Sequence, residues 1–102
     1  MEKIVDLKKT GITIYLDGNE YFVRRVRHYG LWEIYEVYRA EETASDVQGY
    51  TTCDIRSIGT VSYSWVDGIE YGPLKHFSTK TEIKKVFAMF MDRVWRETIT
   101  IG

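Results

Sequence analysis

The chain has 102 residues, enough for one core and too few for two ordinary domains, so a single compact unit spanning 1–102 is expected. Hydrophobic residues at 44% against 28% charged exclude a disordered chain, and a net charge of −1 argues against a general polyanion binder. No run of about 18 apolar residues occurs and the start, Met1 to Lys9, lacks a secretory h-region, so the expected setting is cytoplasmic, with no membrane partner.

In chain order, Ile4, Val5 and Leu7 point to a short strand at the front. Ile12, Ile14 and Leu16 then alternate with Thr13 and Tyr15, and Asp17-Gly18-Asn19 supplies a tight hairpin. A second strand follows over 20–27. A two-residue turn at Asp17-Gly18 places Tyr21 and Val23 on the Ile12/Ile14 face and sends Phe22 and Val26 to the other. Tyr29-Gly30 turns the chain into a third strand over 31–39, which has apolar side chains on both faces.

Residues 40–49 are polar and weakly patterned and read as the longest loop. Tyr50 to Ile58 reads as a short strand. Over 59–66 the alternation is clean, with Val61, Tyr63 and Trp65 on one face and Thr60, Ser62 and Ser64 on the other. Asp67-Gly68 turns into Ile69-Glu70-Tyr71, and Gly72-Pro73 breaks the sheet.

A helix follows over 80–97. Thr79 and Glu82 have capping-box spacing, and Ile83, Val86, Phe87, Phe90 and Val94 recur at three- and four-residue steps as its core stripe. Adding Ala88, Met91 and Trp95 widens the apolar arc to roughly 200°, more than one sheet face covers. Loops can wrap that flank; alternatively Ala88, Met91 and Trp95 meet another chain, since adaptable Met beside Trp suits an interface core. Thr98-Ile-Thr-Ile101 alternates and reads as a short edge strand. The fold class is therefore α+β: an antiparallel meander of about four or five strands with one C-terminal helix packed on one face.

Chemistry is sparse. His28 and His76 stand far apart with no Cys or carboxylate at ligand spacing, so no metal and no cofactor are expected. Cys53 has no histidine at a recognised spacing, and its being the lone Cys agrees with a reducing compartment. The expected protein is noncatalytic: a protein-binding module, accessory or inhibitory, of the kind small mobile genetic elements encode, acting by steric occlusion of a larger partner and able to form a homodimer. The alternative is a nucleic-acid-binding domain using Arg24, Arg25, Arg27, His28 and Tyr29, where guanidiniums interleave with rings. Against it stands cross-strand pairing with Glu20, Glu33 or Glu36. Alternation also separates Arg24 from Arg25 and Arg27.

Overall fold

In the computed structural model the backbone is described for residues 6–44 and 51–101, and the side chains for 6–41 and 54–96. The elements are α1 (Leu7–Thr10), β1 (Ile12–Leu16), β2 (Asn19–Tyr29), β3 (Trp32–Ala44), β4 (Thr51–Ser64), β5 (Gly68–Tyr71) and α2 (Lys80–Ile101). The strands form one antiparallel sheet in sequence order, β1-β2-β3-β4-β5. The α+β meander read from the sequence is the fold, with α2 on one face.

The first hairpin shows why pattern and turn agree. Leu16 pairs with Asn19 around Asp17 and Gly18, both at positive φ (50° and 80°), the left-handed pair a two-residue turn needs. That turn sets the register Ile12↔Val23 and Ile14↔Tyr21, so all four side chains are buried on one face. Tyr35, Val37 and Val61 continue the same face across β3 and β4, and Ile83, Val86, Phe87, Phe90 and Val94 of α2 cover it. Tyr35 is the centre of the packing. Its ring meets Phe87 at 5.1 Å and Phe90 at 5.3 Å edge-on, the arrangement favoured by ring quadrupoles. Gly59 lets α2 come close, since even a Cβ there would lie 3.3 Å from Ile83 Cδ1.

Four expectations are corrected. Leu7 opens the short helix α1, because the Asp6 carboxylate accepts from the Lys8 and Lys9 N–H groups and caps it; Ile4 and Val5 lie outside the described residues. The expected loop over 40–49 is strand as far as Ala44, with 45–50 outside the described backbone; residues 40–44 of β3 pair with 51–55 of β4, beyond the last β2 partner at Tyr21↔Arg39. A ribbon paired on one side only has no core to impose alternation. β4 begins at Thr51, with an extra residue at Ile58, and ends at Ser64. Finally, Thr98 to Ile101 continue α2 as helix rather than adding an edge strand. No Gly or Pro interrupts the run before Gly102, and extending a formed helix is easier than starting a new element.

Two ionic networks fasten this core. Arg25 reaches Glu33 at 3.0 Å and Asp6 at 2.9 Å, Lys8 adds a contact to Glu33 at 3.3 Å, and the buried Tyr35 hydroxyl donates to Glu33 at 2.9 Å, tying α1 to the sheet. At the start of α2, Arg39 and the Tyr21 hydroxyl both hold Glu82. Burial pushes Glu33 and Glu82 upward, but the hydrogen bonds from Tyr35 and Arg25, and from Tyr21 and Arg39, outweigh it and leave both carboxyls below their ordinary 4.5. A lowered folded pKa means stability that is present above the unfolded value and lost as pH falls through the folded one. The urea midpoint should therefore hold near neutrality and fall progressively below pH 4.5, and Glu82→Gln should flatten that fall. Burial followed by Glu82 pushes Tyr21 from 10.0 up to about 12, so a second loss is expected as pH rises from 10 towards that value.

Gly11, just after α1, has φ +92°, and a Cβ there would overlap the Phe22 ring. Gly11→Ala is expected to cost about 1–3 kcal/mol in urea unfolding, through strained φ and that overlap together.

Candidate partner-binding cleft

The flank of α2 outside the core stripe is set by helical geometry. Ala88, Met91 and Trp95 follow one another at steps of three and four, so they stack along one side of the rod. The core stripe of five residues faces the sheet, which turns this second stripe towards β4 and β5. There Tyr63, Ile69 and Tyr71 lie on the same sheet face as Val61, as the pairings Val61↔Tyr71 and Tyr63↔Ile69 require. Sheet and helix diverge at this edge and leave a cleft of 390 Å³ lined by Tyr63, Ile69, Tyr71, Lys84, Phe87, Ala88, Met91 and Trp95.

All three flank residues line this one cleft. Met91 packs partly on the core, Ala88 is exposed, and Trp95 is 58% exposed at the rim. An exposed Trp here has apolar neighbours on two sides and no described cover. The floor was missed in the sequence: Ile69 is 45% exposed and Tyr71 half-buried. Their i, i+2 spacing after Asp67-Gly68 was the available signal. Burial raises the Tyr71 hydroxyl above its ordinary value, and the Lys80 ammonium sits 5.4 Å from the centre of its ring. Among the described residues Lys84 is the one charged member of the lining, and neither Lys80 nor Lys84 has a carboxylate at ion-pair distance.

Trp65 does not join the floor. The sequence placed it beside Val61 and Tyr63, but β4 ends at Ser64 and Trp65 stands 83% exposed in the following turn. Ser64 is the cause. Its buried hydroxyl accepts from the Val66 and Asp67 N–H groups, each at 3.3 Å, and so turns the chain one residue before alternation would have carried Trp65 inward.

The Arg24 to Tyr29 segment is divided rather than gathered. A bulge leaves Val26 without a partner, so Arg24 pairs with Glu36 and Arg27 with Ile34, placing these two arginines on one face and Arg25 on the other. The expected grouping of Arg25 with Arg27 is thus overturned. Arg25 is engaged by Asp6 and Glu33, and Arg24 lies over the Tyr38 ring at 5.8 Å. His28 and Tyr29 are exposed at the end of β2. The helix-free face carries Arg24 and Arg27 but also, by register, Glu20, Glu36 and Glu70. Among the described residues it therefore has no positive excess.

His28 and His76 are both exposed, and Cys53 has its side chain outside the described set. Among the described residues no group of three or more His, Cys, Asp or Glu side chains converges. No helix among the described residues is long and apolar enough to cross a membrane. Neither a protein-family model nor a curated protein nor a solved structure matches the chain.

Proposed function

We propose that the chain is a noncatalytic protein-binding module that docks through the α2 flank and occludes or holds a site on a larger protein. The observation that carries this reading is Trp95: a large ring, 58% exposed, at the rim of an apolar cleft that also contains Ala88 and Met91. Interface energy concentrates in such aromatic anchors when apolar neighbours exclude water around them. An accessory or inhibitory role fits this form, since a helix backed by a five-stranded sheet is a stiff body to place over another protein's surface.

Capture from cells that produce the protein, with wild type and Trp95→Ala as baits, tests the reading. The retained partner should bind Trp95→Ala about 30-fold more weakly, corresponding to about 2 kcal/mol, at unchanged melting temperature. Equal retention by the two baits would sink it. Sedimentation of the protein alone distinguishes a homodimer from a different partner.

Binding to short single- or double-stranded oligonucleotides at low salt is expected to be absent, because the helix-free face mixes guanidinium and carboxylate groups. A mobility shift that weakens steeply with added salt would favour the Arg24–Arg27 face instead.

A further inference from the structure

Resting on that reading, we infer that the cleft takes an extended, acid-bearing apolar segment of the partner, added as a sixth strand beside β5. The main chain provides the first argument. β5 is the last strand of the sheet, so one of its sides is unpaired among the described residues. The Gly72 N–H donates to the Thr60 carbonyl at 2.8 Å, which fixes the phase of the ladder. Gly68 and Glu70 share that phase and turn their main-chain groups to β4, so the N–H and C=O of Ile69 and Tyr71 point outward to the free edge.

The side chains provide the second. A strand hydrogen-bonded to Ile69 and Tyr71 places the residues opposite them on the same sheet face as those two side chains. That is the α2 side, where Ala88, Met91 and Trp95 form the facing wall. Main-chain pairing and apolar insertion are therefore satisfied by one pose, the two components of strand addition. Two apolar side chains spaced i, i+2 fill the cleft.

Charge selects among such strands. Lys84 in the lining and Lys80 over Tyr71 put two ammonium groups towards the Tyr71 end, and among the described residues the lining contains no carboxylate. A partner carboxylate at that end neutralises them at the cleft edge, whereas a basic segment is repelled. Without that carboxylate, docking leaves Lys84 to lose water uncompensated.

The test pans a random peptide library displayed on phage against the full chain, then measures enriched peptides by fluorescence anisotropy. Proteins compared are wild type, Trp95→Ala, the double variant Lys80→Glu/Lys84→Glu, and Ile69→Pro, each first checked by thermal melting. Ile69→Pro removes an outward N–H and leaves the pairing with β4 intact, and Ile69→Ala, which keeps that N–H, measures separately the loss of the Ile69 side chain from the lining. Expected are peptides with apolar residues two apart and an Asp or Glu beyond one of them, weakened about tenfold or more by the lysine reversal and by Ile69→Pro. Peptides without a carboxylate, or binding indifferent to both changes, overturn the inference. Peptides dependent on Trp95 alone would keep the Trp95 reading and sink the acidic strand, and binding that Trp95→Ala leaves intact would sink docking in this cleft altogether. Absence of enrichment, or a homodimer of the protein that shields the cleft, likewise overturns it. If Ile69→Pro fails to fold, N-methylation of alternate amides in an enriched peptide replaces it: a loss of about tenfold is expected at the ladder positions, and indifference at every position overturns the strand pose.

Discussion

Phe90→Ala is expected to destabilise the protein by about 3–5 kcal/mol, read as a fall in the urea midpoint at unchanged slope. Phe90 has no exposed surface, lies edge-on to Tyr35 at 5.3 Å and stacks with Phe87 at 6.0 Å. Truncation opens a cavity between rings that the rigid sheet below and the helix backbone above cannot close. The size of the effect follows from economy of cover, because α2 is the long helix lying on that sheet face. Trp95→Ala, further along the same rod and outside the core stripe, should cost less than about 1 kcal/mol in folding, because surface substitutions generally do. The contrast is the structural premise of the functional reading. A Trp95→Ala cost matching that of Phe90→Ala would make Trp95 part of the core and remove the interface from that flank.

That division of the helix was largely legible in the sequence. Ile83, Val86, Phe87, Phe90 and Val94 are the buried stripe that the 3.6-residue period requires, and Thr79 caps the start, its Oγ accepting from the Glu82 N–H at 3.1 Å. The first hairpin was legible for a similar reason: Asp17-Gly18 fixes register locally, and the apolar alternation agrees with it. What escaped are features set by a neighbour. Val26 and Ile58 are extra residues in the ladder, and a bulge has no signature in polarity alone; yet the one at Val26 decides which face Arg27 shares. Trp65 fits an inward alternation perfectly until the Ser64 hydroxyl turns the chain first. The ribbon of β3 and β4 beyond Arg39 pairs without a core and so shows no period.

The candidate site was half visible for the same cause. Ala88, Met91 and Trp95 stood out as surplus apolar surface, but a helix shows only its own side of a cleft. The opposite side required the pairing of β4 with β5, which brings Ile69 and Tyr71 beneath the helix flank. Exposure elsewhere does not make an equivalent site. Phe77 protrudes fully beside His76, both at positive φ (58° and 52°), but among the described residues no wall faces it in the way Met91 and Ala88 flank Trp95.

The second large effect is expected at Arg39. Its guanidinium donates from Nη1 to both Glu82 carboxylate oxygens at 3.1 and 3.0 Å, from Nη2 and Nε to Glu41 at 2.7 and 3.2 Å, and from Nη2 to the His76 carbonyl at 2.8 Å. One side chain thus joins β3, the loop before α2 and the first turn of α2, with only 14% of it exposed. Arg39→Ala should cost about 2–4 kcal/mol, since it strands the Glu82 carboxylate at 19% exposure with the Tyr21 hydroxyl as its remaining side-chain donor. Arg39→Lys should rescue little, because a single ammonium cannot serve three acceptors held by a planar fork. A double-mutant cycle with Glu82→Gln should return a coupling of about 1–3 kcal/mol; additivity would mean the clasp is ornamental. The consequence reaches the cleft, because Lys80 and Lys84 occupy the same first turns of α2 that the clasp anchors. Arg39→Ala should therefore weaken partner binding at temperatures where the fold is still intact, while Phe22→Ala, on the helix-free face, should destabilise without that excess loss of binding.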